Sequence, residues 1–526
     1  MVLKFSIRLL ICYCVFSLLL PVGIVKADVV RELTQLVVGT NQKFARAKRK
    51  PKFGVVVADA RTGQAVFQHN ASQLLIPASV LKVVTSVAAL KILGGEHTYP
   101  SEIFVDRLPQ VGAGKQGTIG NLYFRGYGDP ILVDEKLFKI ATAVYRNGVK
   151  TIENVVIDDT LFVDSPGASG NRPYQAGLSA TSINHNSYAV DISPSALGKK
   201  AHVFLTGGMD GGDMNVELIN EVVTGNGSGN RIILTQSPQS ANFKAHVREE
   251  GSTAMGDERG GGNGSLEARL PRTIVKVRGQ IGINSKLLTY YSSVAYPPAY
   301  LGTLLKHYLE VVGVEVRGGV QLGETAREAK LLNVFYSESL AKIIKDLNQF
   351  SNNFIAGQIF YSIGQDSLGY FRQDVAVERI SGFLDTLGIS RDSYAIFDGS
   401  GLNRENRITP GALTKVLVAA YSDFSIAPDF VSSLPRFGYS GTLRKRTLVR
   451  NRLPANSVEE NARREAQVRS MWAKTGTLNG VSSIAGYAVG ADDKAYTVVV
   501  ISNGVSKGHA MQLEDEVFRI VGGVKR

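Results

Sequence analysis

Between Leu74 and Leu93 the chain reads LLIPASVLKVVTSVAALKIL. A short apolar run stops at Pro77-Ala78. From Ser79 onward apolar residues recur at three- and four-residue steps, so Leu81, Val84, Ala88 and Ile92 would share one buried stripe. The spacing predicts a helix that begins at Ser79 and ends at Gly94-Gly95. Elsewhere short apolar runs bounded by turn residues predict strands. Phe53–Ala58 pairs with 64–68 across a turn at Asp59–Gly63, and further strands fall at Asn121–Arg125, Asn154–Ile157, Leu331–Phe335, Ser483–Val489 and Ala495–Ser502. Helical periodicity marks Val29–Val38, Glu135–Asn147, Ala299–Val312, Ser339–Phe350, Phe354–Ile363 and Met511–Val521.

The order of these elements suggests an α+β fold in discontinuous parts. The strand–hairpin–helix opening and the helix–strand ending look like two parts of one domain. Between them the texture changes to short strands, turn clusters and Gly-rich loops at 206–214, 225–230 and 256–265, which read as inserted material. The expected division is 28–100 and 331–526 for one domain, with one or two accessory domains inserted at 101–330. No repeat of fixed period is visible.

Length and composition narrow the class. At 526 residues with 44% hydrophobic and 20% charged positions, the chain has ample core and no sign of global disorder. Its net charge of +13 admits nucleic acid as a partner in principle, but no base-reading module or aromatic–basic alternation is present, so none is expected. The densest basic run, KFARAKRKPK at 43–52, reads as a solvated linker. Residues 1–8 carry two positive charges, 9–25 are nearly all apolar, and small residues precede Asp28. Residues 1–27 therefore read as a secretory signal peptide, giving a periplasmic or extracellular protein with at most peripheral membrane contact. Both cysteines, Cys12 and Cys14, lie inside that segment, which leaves the exported chain without thiol chemistry.

The candidate chemistry starts at Ser79. Lys82 lies one helical turn on, which puts a hydroxyl and an amine on one face. A serine hydroxyl needs a base within reach, and an amine becomes that base when burial or a neighbouring cation lowers its pKa. S-x-x-K alone is weak: Ser339-Leu340-Ala341-Lys342 matches equally well. Two further motifs distinguish Ser79. Ser351-Asn352-Asn353 falls between two predicted helices, and Lys474-Thr475-Gly476 occurs once, just ahead of a predicted strand. Ser228-Gly229-Asn230 also fits S-x-N, but in a Gly-rich loop. In this order S-x-x-K, S-x-N and K-T-G are the signature of penicillin-binding proteins and class A β-lactamases.

The flanking text extends the likeness. FGVVVADARTGQAVFQHNASQLLIPASVLKVVTS, GYGDPIL at 126–132, VVIDDTLF at 155–162, FDGSGLNRENRITPGAL at 397–413 and AKTGTLNGVSSIAGY at 473–487 resemble secreted D-alanyl-D-alanine carboxypeptidase/endopeptidases. These are low-molecular-mass penicillin-binding proteins with a large insert between the first two motifs. The resemblance implies the serine transpeptidase/β-lactamase fold, an antiparallel sheet flanked by helices, with action on peptidoglycan stem peptides and acylation by β-lactams; no metal or other cofactor is expected. It implies that Ser79 attacks the penultimate D-alanine carbonyl, with Lys82 as base. Ser351 would relay a proton to the departing D-alanine, and Asn353 would bind Lys82 and the substrate amide. Lys474, with Thr475 and Thr477, would grip the terminal carboxylate beside Gly476, and repulsion from Lys474 would help keep Lys82 neutral. Backbone N–H groups of Ser79 and Thr477 would hold the oxyanion. Arg404, Asn479 and Tyr174 match positions around the acceptor side chain. The chain departs from relatives that favour diaminopimelate, which place an aspartate where this one reads PGASGNRPY at 166–174. Asp129, Asp158 and Asp159 read as turn residues.

Other classes fit less well. The seven histidines show no metal-ligand spacing, so a zinc peptidase is not expected. A β-lactamase shares the same reacting groups but needs a carboxylate for deacylation, and none lies in a comparable context between Ser79 and Ser351. A wall-binding protein with a vestigial pocket would not need all three motifs complete. The expectation is a serine D,D-peptidase.

Overall fold

The computed structural model describes residues 27–44, 51–110, 117–205, 215–239, 270–446, 448, 468 and 470–524. The expected signal peptide up to residue 26, most of the basic run, and the Gly-rich stretches at 206–214 and 256–265 lie outside these residues. The chain divides into two compact units. One holds residues 1–98, 338–366 and 373–526; the other holds 99–337 and 367–372.

The first unit is built on a five-stranded antiparallel sheet. Its order is Met471–Leu478, Val481–Val489, Ala495–Asn503, Lys52–Asp59 and Ala65–His69. The three central strands are buried almost throughout, because helices cover both faces. Val55, Val57, Val498 and Val500 pack with Val517 and Phe518 of the C-terminal helix Lys507–Val521 and with Leu33 of the helix at 27–44. On the other face Tyr487 donates its hydroxyl to the Leu417 carbonyl of helix Pro410–Ser422. Strand positions agree with the sequence reading to within a few residues, with one difference: K-T-G sits in the middle of the edge strand Met471–Leu478, not ahead of a strand. The strand expected at 331–335 spans Lys330–Tyr336 and pairs with Pro100–Val105 in the second unit.

The helix after Ser79 also differs from the amphipathic expectation. Ala78–Val80 form a 3-10 turn, and the α-helix proper runs Leu81–Ile92. Every residue from Leu81 to Leu90 is buried, including Lys82, Thr85 and Ser86, so there is no solvated face opposite the Leu81–Ala88 stripe. A helix enclosed on all sides must satisfy its polar side chains internally. Those partners turn out to be the site.

The second unit combines a six-stranded mixed sheet with two three-stranded sheets. Strands Thr118–Gly126 and Thr151–Asp158 run parallel, joined through helix Asp134–Arg146, whose Leu137, Ile140, Ala141 and Val144 are buried in one core with Ile119, Ile152 and Val155. Asp158 and Asp159 cap turns here. Asp158 accepts from the Thr160 and Thr325 amides, and Asp159 from Ser179 and Thr181. Ser228-Gly229-Asn230 lies in the connection between strands Val216–Gly225 and Arg231–Gln239. There Asn230 accepts from the Gly282 amide and the Ser285 hydroxyl, a structural use of the motif.

Candidate active site

The turn bearing Ser79 is fixed residue by residue. Leu75 exchanges backbone hydrogen bonds with Ile408, and Ile76 exchanges two with the Asn503 side chain, at 2.8 and 3.1 Å. The Pro77 carbonyl accepts from Ser483 Oγ at 2.6 Å. Ala78 then takes the left-handed conformation, φ 51°, which a residue with a Cβ adopts only when its surroundings impose it. The result is a half-buried Ser79 at the mouth of a buried helix.

Lys82 is fully buried one turn below. Its Nζ lies 3.0 Å from Ser79 Oγ, 2.7 Å from Asn353 Oδ1 and 2.6 Å from the Ser400 carbonyl oxygen. The last two atoms can only accept. A neutral amine therefore spends its two N–H bonds on Asn353 and Ser400 and turns its lone pair to the Ser79 hydroxyl. Burial supplies the neutral form, pushing the Lys82 pKa down to about 7 against the opposing pull of the Asp398 carboxylate. Repulsion from Lys474, expected from the sequence to do this, is not the main cause. That repulsion shows on Lys474 itself, which burial first and Lys82 second hold well below the ordinary lysine value.

Ser351 and Asn353 are placed by a helix break. Helix Leu340–Phe350 ends on Ser351 in the left-handed conformation, φ 57°. Asn352 then caps the next helix, Asn353–Ile363, by accepting from the Ile355 amide. Ser351 Oγ accepts from Lys474 Nζ at 2.7 Å, so its own proton is left to point elsewhere. The Nδ2 group of Asn353 has no partner among the described residues.

The edge strand closes the site. A Cβ on Gly476 would lie 2.8 Å from the Ser79 amide nitrogen and 3.0 Å from the Pro77 oxygen, so glycine is what lets the strand approach. Ala473 donates its amide outward to the Pro435 carbonyl. In an antiparallel ladder the outward direction recurs every second residue, so the Thr475 and Thr477 amides also point away from the neighbouring strand. Lys474 is fully buried and donates its remaining contact to the Thr475 carbonyl at 2.6 Å. The hydroxyls of Thr475 and Thr477 are the more accessible groups.

Arg404 and Asn479 meet directly. Both terminal nitrogens of the Arg404 guanidinium donate to the Asn479 carbonyl, at 3.1 and 3.2 Å. Tyr174 lies in the second unit, 53% exposed, on the 3-10 turn Pro173–Gln175. The competing Ser339–Lys342 pair separates: Ser339 starts the helix Leu340–Phe350, and Lys342 ion-pairs with Glu338 on the surface.

Three participants were missed in the sequence. Ser400 contributes its main-chain oxygen, which no side-chain pattern reveals. Asp398 holds that oxygen in place by accepting from the Ser400, Gly401 and Asn403 amides, while Thr85 bonds the Gly399 carbonyl at 2.7 Å. The D-x-S-G spacing of an Asx turn could have signalled it. Thr442 accepts from the Thr475 hydroxyl at 2.8 Å.

The family described as D-Ala-D-Ala carboxypeptidase 3 (S13) matches residues 42–521. The D-alanyl-D-alanine carboxypeptidase of Actinomadura sp. (strain R39) is 30% identical over 487 residues, covering 88% of this chain and 80% of the relative. The D-alanyl-D-alanine carboxypeptidase DacB of Haemophilus influenzae is 22% identical over 470 residues, 86% of each chain. The crystal structure of penicillin binding protein 4 (dacB) from Haemophilus influenzae matches with a TM-score of 0.70 at 20% identity, over 92% of this chain and 99% of that one, which shows the shared α+β fold. A second structure of that protein is complexed with a β-lactam, at a TM-score of 0.66 and 20% identity, over 92% of this chain and 98% of that one. The chain belongs to the D-Ala-D-Ala carboxypeptidase 3 (S13) family and is a peptidase of that class.

Proposed function

We propose that this protein removes the terminal D-alanine from peptidoglycan stem peptides through an acyl-enzyme on Ser79. The observation that carries this is the Lys82 amine, buried, with both N–H bonds absorbed by fixed acceptors and its lone pair facing Ser79 Oγ. Lys82 takes the proton as Ser79 Oγ bonds to the carbonyl carbon of the penultimate D-alanine. The oxyanion lies between the Ser79 and Thr477 amides, an arrangement worth about 3–4 kcal/mol per donor in other enzymes. As the C–N bond breaks, Ser351 gives its proton to the departing amine and is recharged from the Lys82 side. Water then attacks the ester, its proton passing to Lys82, and the acid product leaves with Ser79 restored.

Asn353 Nδ2 is free to bond the substrate amide, and Thr475 and Thr477 offer hydroxyls to the terminal carboxylate beside Lys474. Arg404 and Asn479 serve the side chain of the acceptor residue, with 99–337 acting as an accessory domain. A cross-link whose bond follows D-alanine is open to the same chemistry. The working compartment is the periplasm or cell-wall face.

Mass spectrometry after incubation with penicillin tests the assignment. One adduct is expected on the Ser79 peptide, absent from Ser79→Ala and kept in Ser339→Ala; an adduct lost in Ser339→Ala would sink it. Rapid repeated turnover of a chromogenic cephalosporin would mark a β-lactamase instead.

A further inference from the structure

The Ser440–Arg446 segment runs alongside the edge strand that carries Lys474 and Thr475. Its turn Gly441–Leu443 packs against the end of helix Leu340–Phe350, where a Cβ on Gly441 would lie 2.7 Å from the Gln349 carbonyl oxygen. Leu443 is fully buried in the core beside Phe437 and Met471. Beyond it Arg446 is held on three sides by the C-terminal helix: Glu514 at 2.8 Å, Asp515, and the Met511 carbonyl at 3.1 Å. Glu514 is itself 1% exposed and accepts from Ser482 Oγ at 2.6 Å; Ser482 is the cross-strand partner of Thr477. The segment is thus anchored at both ends to elements that carry the site. At its apex it presents one exposed side chain to the edge strand, Thr442, with Thr475 Oγ1 2.8 Å from Thr442 Oγ1.

We propose that Thr442 is a positioning residue for substrate recognition: its hydroxyl orients the Thr475 hydroxyl on the terminal carboxylate. The inference rests on the carboxypeptidase reading above. A hydroxyl has one proton to donate and two lone pairs. A carboxylate is acceptor-only, so binding it turns the Thr475 proton away from Thr442. Thr442 then donates to the vacated Thr475 oxygen, giving a chain from Thr442 through Thr475 to the carboxylate in which each bond polarises the next. Without the Thr442 hydroxyl, the Thr475 rotor loses its only side-chain partner among the described residues. The carboxylate does not react, so the contact is equally strong in ground and transition states and its loss appears in KM, not kcat.

The experiment is steady-state kinetics of Thr442→Val, Thr442→Ala and Thr442→Ser on a D-Ala-D-Ala-terminated peptide and on its C-terminal methyl ester, with thermal midpoints recorded. Val and Ala are expected to raise KM for the free acid about five- to tenfold, the worth of one hydrogen bond, with kcat within twofold. Ser should restore the wild-type KM, and the penalty should shrink on the ester, a change that loose folding would not produce. Unchanged KM in Val and Ala, a Ser variant as poor as Val, or an equal penalty on acid and ester each overturns the assignment. An inactive wild type that penicillin does not label would instead overturn the carboxypeptidase reading itself.

Discussion

Gly401 passes Ala78 with no room for a side chain: a Cβ on Gly401 would strike the Ala78 carbonyl oxygen. Both residues are left-handed, with φ of 78° and 51°. The contact locks two turns together. One delivers the Ser79 nucleophile, and the other delivers the Ser400 carbonyl that fixes Lys82. The base is thus oriented by a loop more than three hundred residues away in sequence, and the fit depends on a glycine outside the three motifs.

Gly401→Ala should therefore damage both stability and chemistry. The left-handed conformation alone costs about 1–3 kcal/mol for a residue with a Cβ, and the collision adds to it. A displacement of about 1 Å at Ser400 or Ser79 costs roughly a hundredfold in rate. The expected result is a lower thermal midpoint and a β-lactam acylation rate at least tenfold down. Acylation at the wild-type rate would show that the two turns are not coupled.

The pH profile should follow Lys82. With its pKa near 7, the amine is protonated below that value and cannot accept the Ser79 proton. The acylation rate constant is expected to rise from pH 5 to 8 with an apparent midpoint near 7. A flat profile over that range would remove Lys82 as the base.

Asn353→Asp shifts that profile in a known direction. The neutral acceptor 2.7 Å from Lys82 Nζ becomes a carboxylate in a buried site. An opposite charge at that distance raises the lysine pKa by about 1–3 units. The acid limb should move to higher pH by at least one unit, with a tenfold or greater loss of acylation near pH 7 and partial recovery near pH 9. A uniform loss at all pH values would mean that Asn353 acts on the substrate alone.

Much of this site was legible because three short motifs carry side chains whose chemistry demands proximity. Ser79, Lys82, Ser351, Asn353 and Lys474 converge as their types required. What stayed hidden follows a physical pattern. The Ser400 contribution is a main-chain oxygen, identical in every residue. The Thr442–Thr475 contact joins two exposed hydroxyls whose spacing in sequence carries no period. The full enclosure of the Ser79 helix stayed hidden because a 3.6-residue stripe does not reveal what covers the opposite face. Here Thr85 and Lys82 on that face bond to the distant 399–400 loop, and Ser86 bonds to Asn348 of helix Leu340–Phe350. The strands of the first unit were evident from apolar runs, but the parallel pairing of Thr118–Gly126 with Thr151–Asp158 was not, since pairing direction depends on the connection between strands.

Asp129, in GYGDPIL, makes a stability prediction independent of catalysis. Its carboxyl is buried, accepts from the Ile131 amide at 2.9 Å, and is pushed up to about 6 by burial, which the Ile131 bond and the Lys136 charge only partly offset. Between its ordinary value of 3.8 and about 6, the folded chain keeps a proton that the unfolded chain has released. Folding stability contributed by this group is therefore present below pH 4 and lost as pH rises through 6. Two pKa units correspond to about 3 kcal/mol at most. Asn at this position keeps the acceptor for Ile131 without the charge. Asp129→Asn should thus gain stability relative to the parent as pH rises, with a larger advantage in urea midpoint at pH 7.5 than at pH 4.5. An advantage that is constant across that range, or larger in acid, would show that Asp129 is solvated well enough to ionise at no cost.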